Sequence, residues 1–169
     1  MNKINKNYYI LVASFIAVIV QSRLIPHASN FTPVLATGVF CGFYFKNFYS
    51  SFLIILISMF IGDLYLGFHN TMFFTYIALA IPVALGVASK FLKVKEILFS
   101  GLISSVGFFL ITNLGAWITL DMYEKNLSGL MNSYILAIPF FHNTLLSTLL
   151  FLFLFKILFE LLLNKKTAD

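Results

Sequence analysis

One cysteine, Cys41, stands in the whole chain, which excludes an intrachain disulfide and any multi-cysteine metal site. Charge is scarce as well: 10% of the 169 residues are charged and only six are acidic, whereas a soluble domain carries about a quarter charged residues. No glycine-rich phosphate-cradling loop occurs, so ATP hydrolysis by this chain itself is not expected. Neither a Ser–His–Asp set nor an HExxH helix is present, and the chain reads as a non-enzyme without a cofactor. The three histidines show no HxH or HxxxH spacing, so no metal site is expected. Basic residues form no stripe interleaved with aromatics outside the apolar runs, which argues against nucleic acid. After the first apolar run comes Gln21-Ser22-Arg23 rather than a small-x-small cleavage site, so that run reads as an uncleaved span.

What fills the chain instead is apolar: 60% hydrophobic and 18% aromatic. Spans need roughly 20 apolar residues, with shorter ones tolerated where neighbours compensate. On that basis residues 1–169 form a single transmembrane domain, an all-α bundle of six spans at approximately 8–25, 31–45, 48–66, 72–91, 97–120 and 140–163. The second run is short; Thr32 is expected as its N-cap and Pro33 at its first helical position. Pro82 is expected to kink the fourth. From Leu127 to Leu163 the chain is apolar for too long to be one straight helix. Pro139, His142 and Asn143 mark a break there, with a short outer-interface segment at 127–138 before the last span.

Orientation follows from the basic residues. Lys3, Lys6, Lys46, Lys90, Lys93, Lys95, Lys156, Lys165 and Lys166 fall on one side of this six-span map, and only Arg23 and Lys125 on the other. Short basic loops stay in the cytoplasm, so both termini are placed inside, in a multi-pass protein of the bacterial cytoplasmic (inner) membrane.

The opposite face gathers the polar chemistry. Asp63 is the one acid within a span apart from Glu160 in the last cytoplasmic turn. A carboxylate at that depth must be paired or face a cavity, and Arg23 is the partner at the matching end of span one. The pair reads as part of a solute site or as a clamp between spans one and three, and the two are compatible, since a clamp can also line the pocket. The stiff loop from Arg23 to Pro33 adds His27 and Asn30. His69 follows span three, Asn113 and Trp117 sit one turn apart on span five, and His142 and Asn143 follow Pro139. These nine residues are the expected substrate-binding set, converging on an outward pocket. Ala13 and Ala17, four apart on span one, form a small-residue face for a partner helix.

Six spans, both ends inside and the Ala13/Ala17 face resemble the substrate-binding (S) components of energy-coupling factor (ECF) vitamin transporters. The segments Arg23–His27, Asn30–Pro33, Gly62–His69, Thr112–Trp117 and Ala137–Thr144 are similar to a family of uncharacterised putative transport proteins. The first resemblance implies a micronutrient solute entering from outside, and a transmembrane coupling subunit with ATPases meeting Ala13 and Ala17. A cobalamin-transporting relative of that kind places a cysteine on the cobalt; Cys41 lies towards the inner half of span two and reads as a core thiol. The rival expectation is a non-transporting scaffold of the rod-shape type, distinguished by having no reason to line a cavity with polar groups.

Overall fold

The structure, a computed structural model, describes residues 3–91 and 93–166, with side chains from 9 to 161 apart from Leu92. It is all-helical among the described residues: α1 (Lys3–Leu24), α2 (Val34–Phe45), α3 (Phe48–Leu66), α4 (Met72–Ala78), α5 (Ala80–Ala88), α6 (Val94–Thr119), α7 (Leu127–Ile135) and α8 (Ile138–Lys166). Three of these, α3, α6 and α8, are long and apolar enough to cross a membrane, while Tyr9–Leu24, Val34–Phe45 and Met72–Ala88 are shorter apolar stretches.

Residues from the end of α1, the start of α2, the end of α3, the start of α4, the second half of α6 and the first half of α8 meet around one cavity. The chain therefore runs up and down, with α4 and α5 making one descent and α7 lying beside α6 at the cavity end. The interruption at Leu79 has a plain cause. Pro82 has no N–H for the Ala78 carbonyl, and its ring crowds that carbonyl, so the helix breaks directly after Ala78. The Leu79 N–H is shared between Thr75 and Tyr76 carbonyls at 3.3 and 3.2 Å.

α2 is the axis of the bundle. Every residue from Val34 to Gly42 is buried, with α5, α3 and α8 packed around it. The α2–α5 crossing is backbone against backbone: a Cβ at Gly42 would come 2.3 Å from the Val83 carbonyl oxygen, and one at Gly86 2.0 Å from that of Val39. Only glycine fits, and the close approach lets the two helices gain dispersion contacts that lipid cannot replace. Below it Phe15, Phe40, Phe43, Phe155 and Phe159 form an aromatic cluster, with the Phe40 and Phe159 rings edge-on at 5.6 Å.

The outer surface is the reverse of a soluble one. Leu53, Ile57 and Phe60 on α3, Leu98, Leu102 and Leu110 on α6, and Leu146, Leu150 and Leu154 on α8 are all exposed. An apolar belt of that extent is a membrane-facing surface.

Several expected boundaries shift. α2 begins at Val34 with Pro33 as an uncapped N-cap position, so Thr32 is not the cap and the span does not extend back to 31. The fourth run is helical only to Ala88, and in two pieces. Pro139 does not break the last span: the turn falls at Leu136–Ala137, and Pro139 occupies the first turn of α8, where its missing N–H is harmless.

At the end away from the cavity, Lys46 closes α2 in a left-handed conformation, φ 52°, and its ammonium donates to the Ser89 carbonyl at the end of α5. Ser89 in turn donates to Glu96, which also accepts the Phe91 N–H at 3.1 Å. Lys90, Lys93 and Lys95 follow at the same end. The side chains of Lys3, Lys6, Lys165 and Lys166 lie outside the described residues.

Candidate functional site

The cavity exists because the central helix is short. Twelve residues rise about 18 Å, well under the roughly 30 Å of a hydrocarbon core, so the taller α1, α3, α6 and α8 stand above the first turn of α2. The space they enclose is about 420 Å³, floored by Val34 and Leu35 of α2. With no side-chain cap at Pro33, the first N–H groups of α2 have no partner within their own helix and leave a partly positive helix end at that floor.

One wall is an ionic knot. The Arg23 guanidinium is paired with the Asp63 carboxylate and also donates to the Met59 carbonyl at 2.7 Å. The Tyr76 hydroxyl donates to the second Asp63 oxygen at 2.6 Å. Asp63 is 0% exposed and Arg23 14%, so the carboxylate is sealed behind the arginine, and the arginine is the member that lines the cavity. Gly62 makes this possible: a Cβ there would sit 2.7 Å from the guanidinium nitrogen. Three helices, α1, α3 and α4, are thereby tied through one buried carboxylate. The expected Arg23–Asp63 partnership is thus present in the structure.

Above the knot the mouth is formed by the 25–33 and 67–71 loops. Asn30 holds a left-handed conformation, φ 61°, which asparagine tolerates better than most residues. It lines the cavity together with His27 and His69. His27 Nδ1 donates to the Ala28 carbonyl at 2.7 Å, and His69 Nδ1 lies 2.9 Å from the Thr71 hydroxyl. The loop is pinned from α8, where the Asn143 amide donates to the Ser29 carbonyl at 3.0 Å.

The rest of the wall is a feature that residue-by-residue reading of the sequence missed. Thr32, Thr71, Thr75, Thr112, Thr144 and Thr148 all border the cavity, among the apolar Leu66, Leu79 and Phe108. Thr75, Thr112, Thr144 and Thr148 donate to the carbonyl four residues earlier at 3.2, 2.8, 2.9 and 2.6 Å. With its proton so committed, each oxygen keeps lone pairs free to accept. The signal was available as two i, i+4 threonine pairs, 71/75 and 144/148, at the same end of their helices.

Of the nine expected substrate-binding residues, the structure brings Arg23, His27, Asn30 and His69 to the cavity, with Asp63 directly behind Arg23. Asn113, Trp117, His142 and Asn143 do not border it. Asn113 donates to its own helix at the Phe109 carbonyl, 2.8 Å. Trp117 Nε1 donates to the Glu124 carbonyl at 2.9 Å and closes the α6–α7 turn, where Lys125 also donates to the Leu120 carbonyl at 2.8 Å. His142 is exposed. Asn143 holds the loop rather than the space. For Asn113 and Asn143 the departure from the expected lining is one of helix rotation. A step of one residue turns a helix by 100°, and it is Thr112 and Thr144, adjacent to Asn113 and Asn143, that face inward.

Ala13 and Ala17 are both exposed on α1, with Ser14 and Val18 beside them. Cys41 is fully buried in the core of α2, below the floor of the cavity, which it does not line.

Residues 2–168 match a family described as a family of unknown function (DUF6580), and the chain belongs to that family. No curated protein and no solved structure matches it.

Proposed function

We propose that this chain is the solute-binding membrane component of a micronutrient uptake transporter, related in kind to ECF S components and energised by separate subunits. In this reading α1, α2, α3, α4–α5, α6 and α8 are six crossings of the bacterial cytoplasmic membrane, with both termini and the Lys46/Lys90/Lys93/Lys95 end inside. The cavity then opens outward. The observation that carries the reading is a polar-walled space of about 420 Å³ in an otherwise apolar bundle. A scaffold needs only helix packing and has no reason to line a water-accessible space with an arginine, two histidines and six threonines.

The lining supports a solute of particular chemistry. One cationic wall, largely neutralised by Asp63, and an uncapped helix end favour a carbonyl or other electron-rich group at the floor. The threonine oxygens accept from hydroxyl or N–H groups at the sides. The exposed Ala13/Ala17 face of α1 gives a coupling subunit's helix a place to approach closely. Mass spectrometry of small molecules retained by the chain purified from native-like membranes tests this reading. A stoichiometric polar solute, displaced when Arg23 is replaced by Met, is the expected result. Retention of lipid alone by both proteins would favour the scaffold.

A further inference from the structure

A second cavity, of about 290 Å³, lies at the opposite end of the bundle, between the end of α5 and the start of α6. Ser89, Lys90, Glu96 and Ser100 line it together with the apolar Leu85, Ala88 and Phe99. Between it and the outer cavity runs a single helix, α6, which borders both: Ser100 below, Phe108 and Thr112 above. The twelve steps from Ser100 to Thr112 rise about 18 Å, so α6 covers the whole distance between the two spaces.

The residues of α6 in between are unusual for a core. Ser104 and Ser105 are 0% exposed, and neither hydroxyl has a hydrogen-bond partner. Buried hydroxyls elsewhere in the bundle are satisfied: Thr37, Ser51, Ser58, Thr144, Ser147 and Thr148 each donate to a carbonyl. Close helix approach accounts for small side chains at 104 and 105, but alanine would give the same approach with no hydroxyl to desolvate. An unpaired buried hydroxyl is disfavoured in one state and becomes reasonable when a second state pairs it with water or solute.

The neighbouring descent is discontinuous too, nearer the outer cavity. Thr75 of α4 and Leu79 at the break border the outer cavity, and Leu85 and Ala88 of α5 border the inner one. Broken helices between two access routes are how transporters change which side is open.

We propose that the α6 face Ser100–Ser104–Thr112 is an internal passage through this chain, joining the outer cavity to the inner one and shut in this state at Phe108. Solute that enters above is delivered below through this subunit itself, and Ser104 and Ser105 are wetted in the inward-open state. The proposal rests on the outer cavity being a solute site.

Single-cysteine variants in sealed vesicles, treated with a charged, membrane-impermeant methanethiosulfonate from either side, test it. The wild-type chain, with only the buried Cys41, is the blank, and Leu102→Cys on the exposed apolar face of α6 is the lipid control. Thr112→Cys is expected to react from the outer side and Ser100→Cys from the inner side. Ser104→Cys or Ser105→Cys is expected to react from the inner side at least about tenfold faster than Leu102→Cys, since thiol reactivity follows water access. Inert Ser104→Cys and Ser105→Cys beside a reactive Thr112→Cys would overturn the passage while leaving the outer site standing. Equal labelling of Leu102→Cys and Ser104→Cys would overturn it too. An inert Thr112→Cys would remove the outer site and the passage together.

Discussion

Replacing Asp63 by alanine tests whether the ionic knot holds the cavity wall. The carboxylate is fully buried and accepts from both Arg23 and Tyr76. Its loss leaves the guanidinium with the Met59 carbonyl and, more weakly, the Met59 sulfur at 3.8 Å. Breaking a buried pair costs about 3–5 kcal/mol. Arg23 keeps 14% exposure toward the cavity, so the lower end applies, about 3 kcal/mol. The orphaned Tyr76 hydroxyl adds about 1 kcal/mol. A total of about 4 kcal/mol lowers Tm by about 8–16 °C for a chain of this size. Thermal unfolding in lipid nanodiscs, followed by size-exclusion chromatography of the heated samples, reads this directly. The double variant Arg23→Met with Asp63→Leu should recover most of the loss, because no charge is left unpaired. A fall of less than about 2 °C in the single variant, or a double variant no more stable than the single one, would refute the buried-clamp reasoning.

Thr112→Val and Thr148→Val should each weaken binding of the retained solute about fivefold, one hydrogen bond's worth. Asn113→Ala should leave it unchanged, since its amide serves its own helix; isothermal titration with the solute identified by mass spectrometry decides. Gly86→Leu should prevent the α2–α5 crossing, because even a Cβ there would meet the Val39 carbonyl at 2.0 Å; a monodisperse, thermally unchanged variant would contradict the backbone contact. Ala13→Leu with Ala17→Leu should spare solute binding and abolish uptake in cells, whereas unchanged uptake would mean that coupling does not use α1. Reporter fusions after Lys46 and Lys93 should read cytoplasmic and one after Lys125 external, and an external reading at Lys93 would reverse the proposed orientation.

Composition and the spacing of apolar runs were enough to settle what kind of object this is. Scarce charge and apolar runs of helix-spanning length point to helices, because in lipid every backbone group must be paired and a helix pairs its own. The rarity of Asp63 inside a span named its partner, since an unpaired carboxylate at that depth is too costly to leave, and Arg23 was the available cation. Pro82 foretold the interruption of the fourth run through its missing donor. Tertiary structure alone decided three things. It made α2 the buried axis and, by its shortness, made room for the cavity; a twelve-residue apolar run read singly is only a thin span. It fixed the rotation of α6 and α8, choosing Thr112 and Thr144 over their neighbours Asn113 and Asn143, because a step of one residue turns a helix by about 100° and only packed neighbours settle which of two adjacent polar residues faces inward. And it left Ser104 and Ser105 dry and unpaired between two cavities, a condition that depends on atoms far apart in the chain and that no local pattern of residues encodes.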